Sequence, residues 1–208
     1  MFISFEGPEG AGKSTVLAGI AVKLRSNGLN VVTTREPGAG IVGGKIREIL
    51  LHGEDLDPKS ELLLFLADRA NHVASIIRPA LTEGAIVLCD RYADSTLVYQ
   101  AHARGLNERF VRAGNDFATV GLMPDLTLLF DLDPRVGLSR LQSKDRLDAQ
   151  PIEFHERVRE GFLQEAKASP SRWKIVDASE GPDVVLRNSW EIIERYVLTN
   201  KKNTSIGL

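Results

Sequence analysis

Gly7-Pro8-Glu9-Gly10-Ala11-Gly12-Lys13-Ser14 is a complete G-x-x-x-x-G-K-[ST] phosphate loop, entered from the apolar run Phe2-Ile3-Ser4-Phe5 and followed by helically spaced apolar residues over 16–24. A strand before and a helix after are what the chemistry of such a loop requires, and they separate it from a glycine-rich turn that happens to contain lysine. The glycines let backbone N–H groups curl around a phosphate with no Cβ in the way. Lys13 brings a point charge to the β- and γ-phosphates, Ser14 offers a hydroxyl to Mg²⁺, and Thr15 leads into the helix. Residues 7–15, from Gly7 through Pro8, Glu9, Gly10, Ala11 and Gly12 to Thr15, are therefore expected to bind a nucleoside triphosphate.

Outward from the loop, short β-like runs at 1–5, 30–34, 85–89, 126–130 and 173–176 alternate with longer helical stretches. That alternation predicts an α/β fold, a parallel sheet of about five strands flanked by crossover helices. Asn27-Gly28 stops the first helix. Asp57-Pro58 reads as an N-cap with proline at the first helical position, opening a helix to about Arg78 that Pro79 bends or ends. Residues 183–198 form a last amphipathic helix, and the polar tail 199–208 is expected to fray. One domain over 1–208 accounts for the whole pattern.

A chain of 208 residues with 43% hydrophobic and 26% charged content can bury a full core. Its formal net charge of −2, with both signs interspersed, gives no basic field for nucleic acid and no polybasic face for a membrane. The only cysteine, Cys89, lies in an apolar run and reads as a buried, inert thiol suited to a reducing cytoplasm. The N-terminus enters a strand directly, without the pattern of a leader peptide. His52, His72, His102 and His155 have no metal-ligand spacing, so no structural metal is expected, and His102 reads as a surface residue.

Two further stretches bear on the chemistry. Asp90-Arg91 closes the third strand at the carboxyl edge of the sheet, where open α/β folds bind ligands. The pair is either a strand-end ion pair, or Asp90 orients Mg²⁺ and Arg91 holds a second phosphate by bidentate contacts. Residues 141–151, Leu-Gln-Ser-Lys-Asp-Arg-Leu-Asp-Ala-Gln-Pro, are charged and poor in large apolar groups. They are either a solvated connection or a short lid, about 142–152, that brings Lys144 and Arg146 over a transferring phosphoryl group. A guanine reader of the Asn-Lys-x-Asp type is missing, since Asn200-Lys201-Lys202-Asn203 lacks the aspartate.

Together the phosphate loop, Thr34-Arg35-Glu36-Pro37-Gly38, Phe65-Leu66-Ala67-Asp68-Arg69, the run Asp90-Arg91-Tyr92-Ala93-Asp94-Ser95-Thr96-Leu97-Val98-Tyr99-Gln100, Pro124-Asp125-Leu126-Thr127, Asp145-Arg146 and Phe154-His155-Glu156-Arg157-Val158-Arg159 resemble thymidylate kinase, in order from residue 2 to about 165. The resemblance implies a cytoplasmic, homodimeric enzyme that moves the γ-phosphoryl group of ATP to dTMP with Mg²⁺ as cofactor. Phe65 would stack on thymine and Arg69 hydrogen-bond it; at i and i+4 the two share a helix face. On residue pattern alone Phe65 could equally be core, but an unpaired inward guanidinium beside it argues for a ligand. The family pattern makes Arg35 and Arg91 a clamp on the dTMP phosphate, directs Glu9 to the sugar 3′-hydroxyl, and builds a base and sugar wall from Ser95, Thr96, Tyr99 and Gln100, with Tyr99 excluding a 2′-hydroxyl. It gives catalytic roles to Lys13, Asp90, Arg91 and a lid arginine, Arg146 first and Arg157 second, because the phosphate loop has none. Arg159 reads as an ordinary solvated residue, and adenine contacts are expected at 177–181. Ala101-His102-Ala103-Arg104 departs from the Gly-rich turn common in the family. The dimer would pack through 57–80 and 92–120. Another nucleoside monophosphate kinase, and a nucleotide-dependent switch ATPase, are the competing readings.

Overall fold

Each apolar run of the sequence becomes one strand of a parallel sheet in the computed structural model, which describes residues 1–204 and the side chains of residues 1–197. The strands are β1 (Phe2–Glu6), β2 (Val31–Arg35), β3 (Ile86–Asp90), β4 (Leu126–Asp131) and β5 (Trp173–Asp177), in the spatial order β2-β3-β1-β4-β5. Every pairing is parallel, with Phe2 opposite Val87, Ile3 opposite Leu126, Val31 opposite Ile86 and Thr127 opposite Trp173. The central strands are nearly continuous in apolar residues because helices cover both faces.

One face packs on α1 (Lys13–Ser26) and α9 (Pro182–Thr204), where Ile3, Phe5, Leu128 and Phe130 meet Val16, Ile20, Leu24 and Ile193. Each such side chain contributes about 1.5–3 kcal/mol by leaving water. On the other face Phe2, Val87 and Cys89 pack on Val73, Ile77 and Tyr92, and Leu129 and Trp173 pack on α8 (Ile152–Ala168). Cys89 is fully buried, as its apolar run predicts.

Between the strands lie α2 (Gly40–His52), α3 (Pro58–His72), α4 (Arg78–Thr82), α5 (Ala93–Thr96), α6 (Glu108–Thr119) and α7 (Pro134–Ser139). Asp57 caps α3 by accepting from Lys59 N at 2.9 Å, with Pro58 at the first turn. Pro79 does not end that helical run. Residues Val73–Ile77 form a π turn and the chain continues into α4, with Pro79 in its first turn and Arg78 N bonded back to Val73 O. α9 continues to Thr204, past the end predicted near 198, and residues 205–208 of the expected tail lie outside the described residues.

Candidate active site

The phosphate loop joins the carboxyl end of β1 to α1, and backbone contacts from β4 and α7 hold its shape. Gly7 has φ 140°, and a Cβ there would lie 2.5 Å from the Phe130 carbonyl oxygen. Gly10 has φ 66° and sits so close to α7 that a Cβ would come within 2.0 Å of Gly137 O, while a Cβ on Gly137 would come within 2.1 Å of Glu9 O. Only glycine on both sides permits this approach. Arg140 reaches Gly10 O at 3.3 Å and Ala178 O at 3.4 Å, which sets the expected adenine loop beside the phosphate loop.

Lys13 is folded onto its own loop, donating to Gly7 O at 3.1 Å and Pro8 O at 2.6 Å. Burial, and the Arg91 charge after it, lower its ammonium to about 8. A phosphate would offer that cation a stronger acceptor than two neutral carbonyls. Ser14 Oγ donates to Asp90 Oδ2, which brings together the two residues expected to serve Mg²⁺.

Across the loop, Arg91 adopts φ 67°, a left-handed conformation that a non-glycine residue holds only where its surroundings demand it. This turns the guanidinium back over the sheet end, where it donates to Ser95 Oγ at 3.2 Å and Glu9 Oε1 at 3.1 Å and lies over the Tyr99 ring. Tyr99 OH also donates to Glu9. Burial would raise the Glu9 carboxyl, but nearby His155, the Arg91 and Lys13 charges and the Tyr99 hydroxyl outweigh it and hold it at about 2. Glu9 is thus ionised throughout the physiological range, with its carboxylate held by Arg91 and Tyr99. His155 Nδ1 lies 3.3 Å from Glu9 Oε2, yet neither ring nitrogen makes a directed hydrogen bond among the described residues.

These groups line one cavity of about 320 Å³ that runs from Lys13, Ser14 and Asp90 to Phe65, Thr96 and Gln100. Arg35 and Ser95 also face it. Phe65 is both wall and core, since its other side packs on Leu50, Leu51 and Leu147. Arg69 lines the cavity but is not the unpaired guanidinium the sequence suggested. It donates through Nε to Glu36 at 2.9 Å and through Nη1 to Asn115 at 2.8 Å, with Nη2 2.7 Å from Glu36. The ligand argument drawn from a missing partner therefore fails, although two of the guanidinium's five N–H groups stay uncommitted. Residues Leu97–Ala103 form a π-helical stretch that seats Tyr99 and Gln100 in the wall.

Arg146 lies elsewhere. Its guanidinium donates to Leu50 O at 3.0 Å and Glu61 Oε2 at 2.5 Å, away from the phosphate loop, while Leu147 packs against Phe65. Asp145 accepts from Leu147 N and Asp148 N, giving the segment a local turn of its own. Arg157 donates to Ala103 O at 3.1 Å. Arg159 is not simply solvated: it forms a two-pronged pair with Asp131 at 2.6 and 2.9 Å. His102 is half-buried beside Glu165 at 3.2 Å, not a free surface residue.

Sequence reasoning passed over several acids and cations of this site. Arg47 faces the cavity and donates to Pro37 O at 2.9 Å. Glu36 was visible in Arg35-Glu36-Pro37 and Glu6 as an acid ending an apolar strand, both signals of a buried carboxylate. Glu6 accepts from Tyr92 N at 2.8 Å and Ser95 Oγ at 2.5 Å, and burial, then Asp94, push its carboxyl up to about 8. A carboxyl raised on folding binds a proton that the unfolded chain releases, so its contribution to stability falls as pH rises from about 4.5 to about 8. The limiting slope is about 1.4 kcal/mol per pH unit. Glu6→Gln can accept from Tyr92 N and donate to Ser95 Oγ without the charge; in chemical denaturation it is expected to gain stability on wild type between pH 5.5 and 8.5, and a constant difference would refute the assignment.

A family model described as thymidylate kinase matches residues 5–188. A thymidylate kinase of Nitratidesulfovibrio vulgaris (strain DP4) is 48% identical over 200 residues, covering 90% of this chain and 89% of that one. One from Synechococcus sp. (strain JA-2-3B'a(2-13)) is 47% identical over 194 residues, covering 93% and 94%. The crystal structure of thymidylate kinase from Ehrlichia chaffeensis superposes with a TM-score of 0.76 at 34% identity, covering 93% of this chain and 98% of that one.

Proposed function

The chain belongs to the thymidylate kinase family, and from that premise we propose how its own residues transfer the γ-phosphoryl group of ATP to dTMP, giving dTDP and ADP. What carries the reading is the single cavity that joins Lys13 and Ser14 at one end to Phe65, Tyr99 and Gln100 at the other. Donor and acceptor phosphates then share one space, which a switch ATPase has no need of. A coupled assay with and without dTMP tests it: turnover is expected only with the acceptor, and equal ADP release without dTMP would restore the switch reading.

The nucleophile is a phosphate monoester oxygen, already largely ionised at pH 7 because its second pKa is about 6. No general base is needed, and catalysis rests on alignment and charge. The backbone of 7–15 cradles the donor phosphates, and Lys13 leaves its loop carbonyls for the β/γ-oxygens. Arg91, with Arg35 opposite, holds the acceptor phosphate. Ser14 and Asp90 suit Mg²⁺, an ion bound through few protein oxygens plus phosphate and water, which would neutralise charge on the β- and γ-oxygens. Phe65 stacks on the base, Glu9 takes the 3′-hydroxyl, and Ser95, Thr96 and Tyr99 shape the sugar pocket. Arg146 is the lid cation of this scheme: on closure it exchanges Glu61 for the γ-phosphate, and Glu61 keeps Arg104 at 2.6 and 3.0 Å.

Tyr99 is wedged between Glu9, Arg91 and Phe154 and has no freedom to yield to a 2′-hydroxyl. Deoxyribonucleotide acceptors are expected to exceed their ribo counterparts in kcat/KM by at least about tenfold, with Tyr99→Ala narrowing the gap. Equal values in wild type would remove Tyr99 from that role.

A homodimer through α3 and α6 is part of the proposal. These helices pack side by side and leave Leu63 57%, Phe110 59% and Phe117 86% exposed, more apolar surface than a lone helix pair leaves to water without a use. Phe117→Glu is expected to sediment as a monomer at micromolar concentration where wild type sediments as a dimer; wild type found monomeric would contradict it. A cytoplasmic location is supported by the single, unpaired, buried thiol. No helix among the described residues is long and apolar enough to cross a membrane.

A further inference from the structure

Glu61 stands in the first turn of α3, fully buried, and its two oxygens are met from four directions. Oε1 accepts from Arg104 Nε at 2.6 Å and Gln100 Nε2 at 3.0 Å; Oε2 accepts from Arg104 Nη2 at 3.0 Å and Arg146 Nη2 at 2.5 Å. Two guanidinium groups on one carboxylate keep it ionised, and an ionised carboxylate accepts and never donates. The Gln100 amide therefore has one allowed orientation. Its NH₂ faces Glu61, because the reverse would set two acceptor oxygens about 3 Å apart without water between them.

The other end of the amide is the consequence. Gln100 Oε1 is buried, has no hydrogen-bond partner among the described residues, and belongs to a residue of the cavity wall that includes Phe65, Thr96 and Arg69. A buried acceptor without a partner is costly unless a ligand supplies a donor. Arg69, in the same wall, can only donate. The wall thus presents a fixed pair, one donor-only group and one acceptor-only group, whose order a rotating amide would not preserve.

We infer that Glu61 is a specificity-determining positioning residue: by locking the Gln100 amide it makes the acceptor site demand a base edge with a carbonyl oxygen next to a ring N–H, as in an imide, and reject the reversed edge of cytosine, an amino group next to a bare ring nitrogen. The inference rests on the acceptor being a pyrimidine deoxynucleoside monophosphate bound against Phe65. It gives Glu61 no contact with substrate. When Arg146 leaves for the γ-phosphate, Arg104 alone keeps the carboxylate charged, so the lock survives lid closure.

The test is kcat/KM for dTMP, dUMP and dCMP in wild type, Glu61→Gln and Glu61→Asp, with folding checked by circular dichroism. The neutral amide of Glu61→Gln can donate as well as accept, which frees Gln100 to turn. The dTMP:dCMP ratio is expected to fall at least about tenfold, chiefly through KM, while dTMP:dUMP, two bases with the same imide edge, stays within about twofold. A purely structural role would depress all three acceptors alike, and unchanged dTMP:dCMP discrimination in folded Glu61→Gln overturns the inference. If Glu61→Gln does not fold, Glu61→Asp, which keeps the charge but shortens the reach to Gln100, is compared with Gln100→Leu and the double variant. Non-additive effects on the ratio support the lock, and additive ones refute it. Wild type preferring dCMP to dTMP would instead overturn the acceptor reading itself, a separate outcome from the failure of the lock.

Discussion

Lys13→Met is expected to lower phosphoryl transfer by about 10³-fold or more while leaving the fold intact. The side chain is buried within its own loop, and its only bonds there are to the Gly7 and Pro8 carbonyls. Methionine is similar in length and apolar, so it can occupy that space and spares the chain the cost of a desolvated ammonium. Stability should hold or rise slightly, while the cation proposed to meet the β/γ-oxygens disappears. Single-turnover assays with saturating ATP and dTMP, beside a thermal melt, separate the two effects. A folded variant with near-normal turnover would mean that charge at the donor phosphates comes from elsewhere, and the proposed mechanism would fall.

Arg146 and Arg91 give the second large expectation, and they should differ in kind. Arg146 has no partner at the phosphate loop before closure, so Arg146→Ala should lower kcat by about 10²–10³ and change dTMP affinity little. Arg91, proposed to hold the acceptor phosphate, already donates to Glu9 and Ser95. Arg91→Ala should therefore weaken dTMP binding as well as turnover, and it leaves Glu9 without one of its cations. Steady-state kinetics with calorimetric dTMP binding decides the matter. Normal turnover in Arg146→Ala would confine that residue to Glu61 and send the search for the lid cation to Lys144 or Arg157.

The sheet was legible because each strand is a short apolar run set off from the longer helical stretches around it, and all five lie within a residue of their predicted positions at either end. The phosphate loop was legible for a different reason: its chemistry fixes both spacing and residue type. What escaped the sequence were partners. Arg69 looked unpaired because Glu36 lies 33 positions away, and nothing local joins them. Arg146 looked free to reach a phosphate because Glu61 sits 85 positions upstream, on α3. Charge pairing across elements depends on how helices pack, and the periodicity of a single segment carries no record of it. The π turns before α4 and over Leu97–Ala103 escaped too, since so short a stretch of i→i+5 bonding holds too few residues for its spacing to be told from the α-helical spacing around it.

The meeting of Gly10 with Gly137 couples parts of the chain that sequence distance keeps apart. Two backbones touch there with no side chain to act as a cushion, so neither can shift toward the other. α7 leads through Arg140 into residues 141–151, where the cover at about 142–152 is proposed. A phosphate that settles in the loop and displaces Gly10 therefore pushes on the root of that cover, 127 positions downstream. Occupancy of the donor site can reach the cover by contact alone, before any arginine has met the nucleotide.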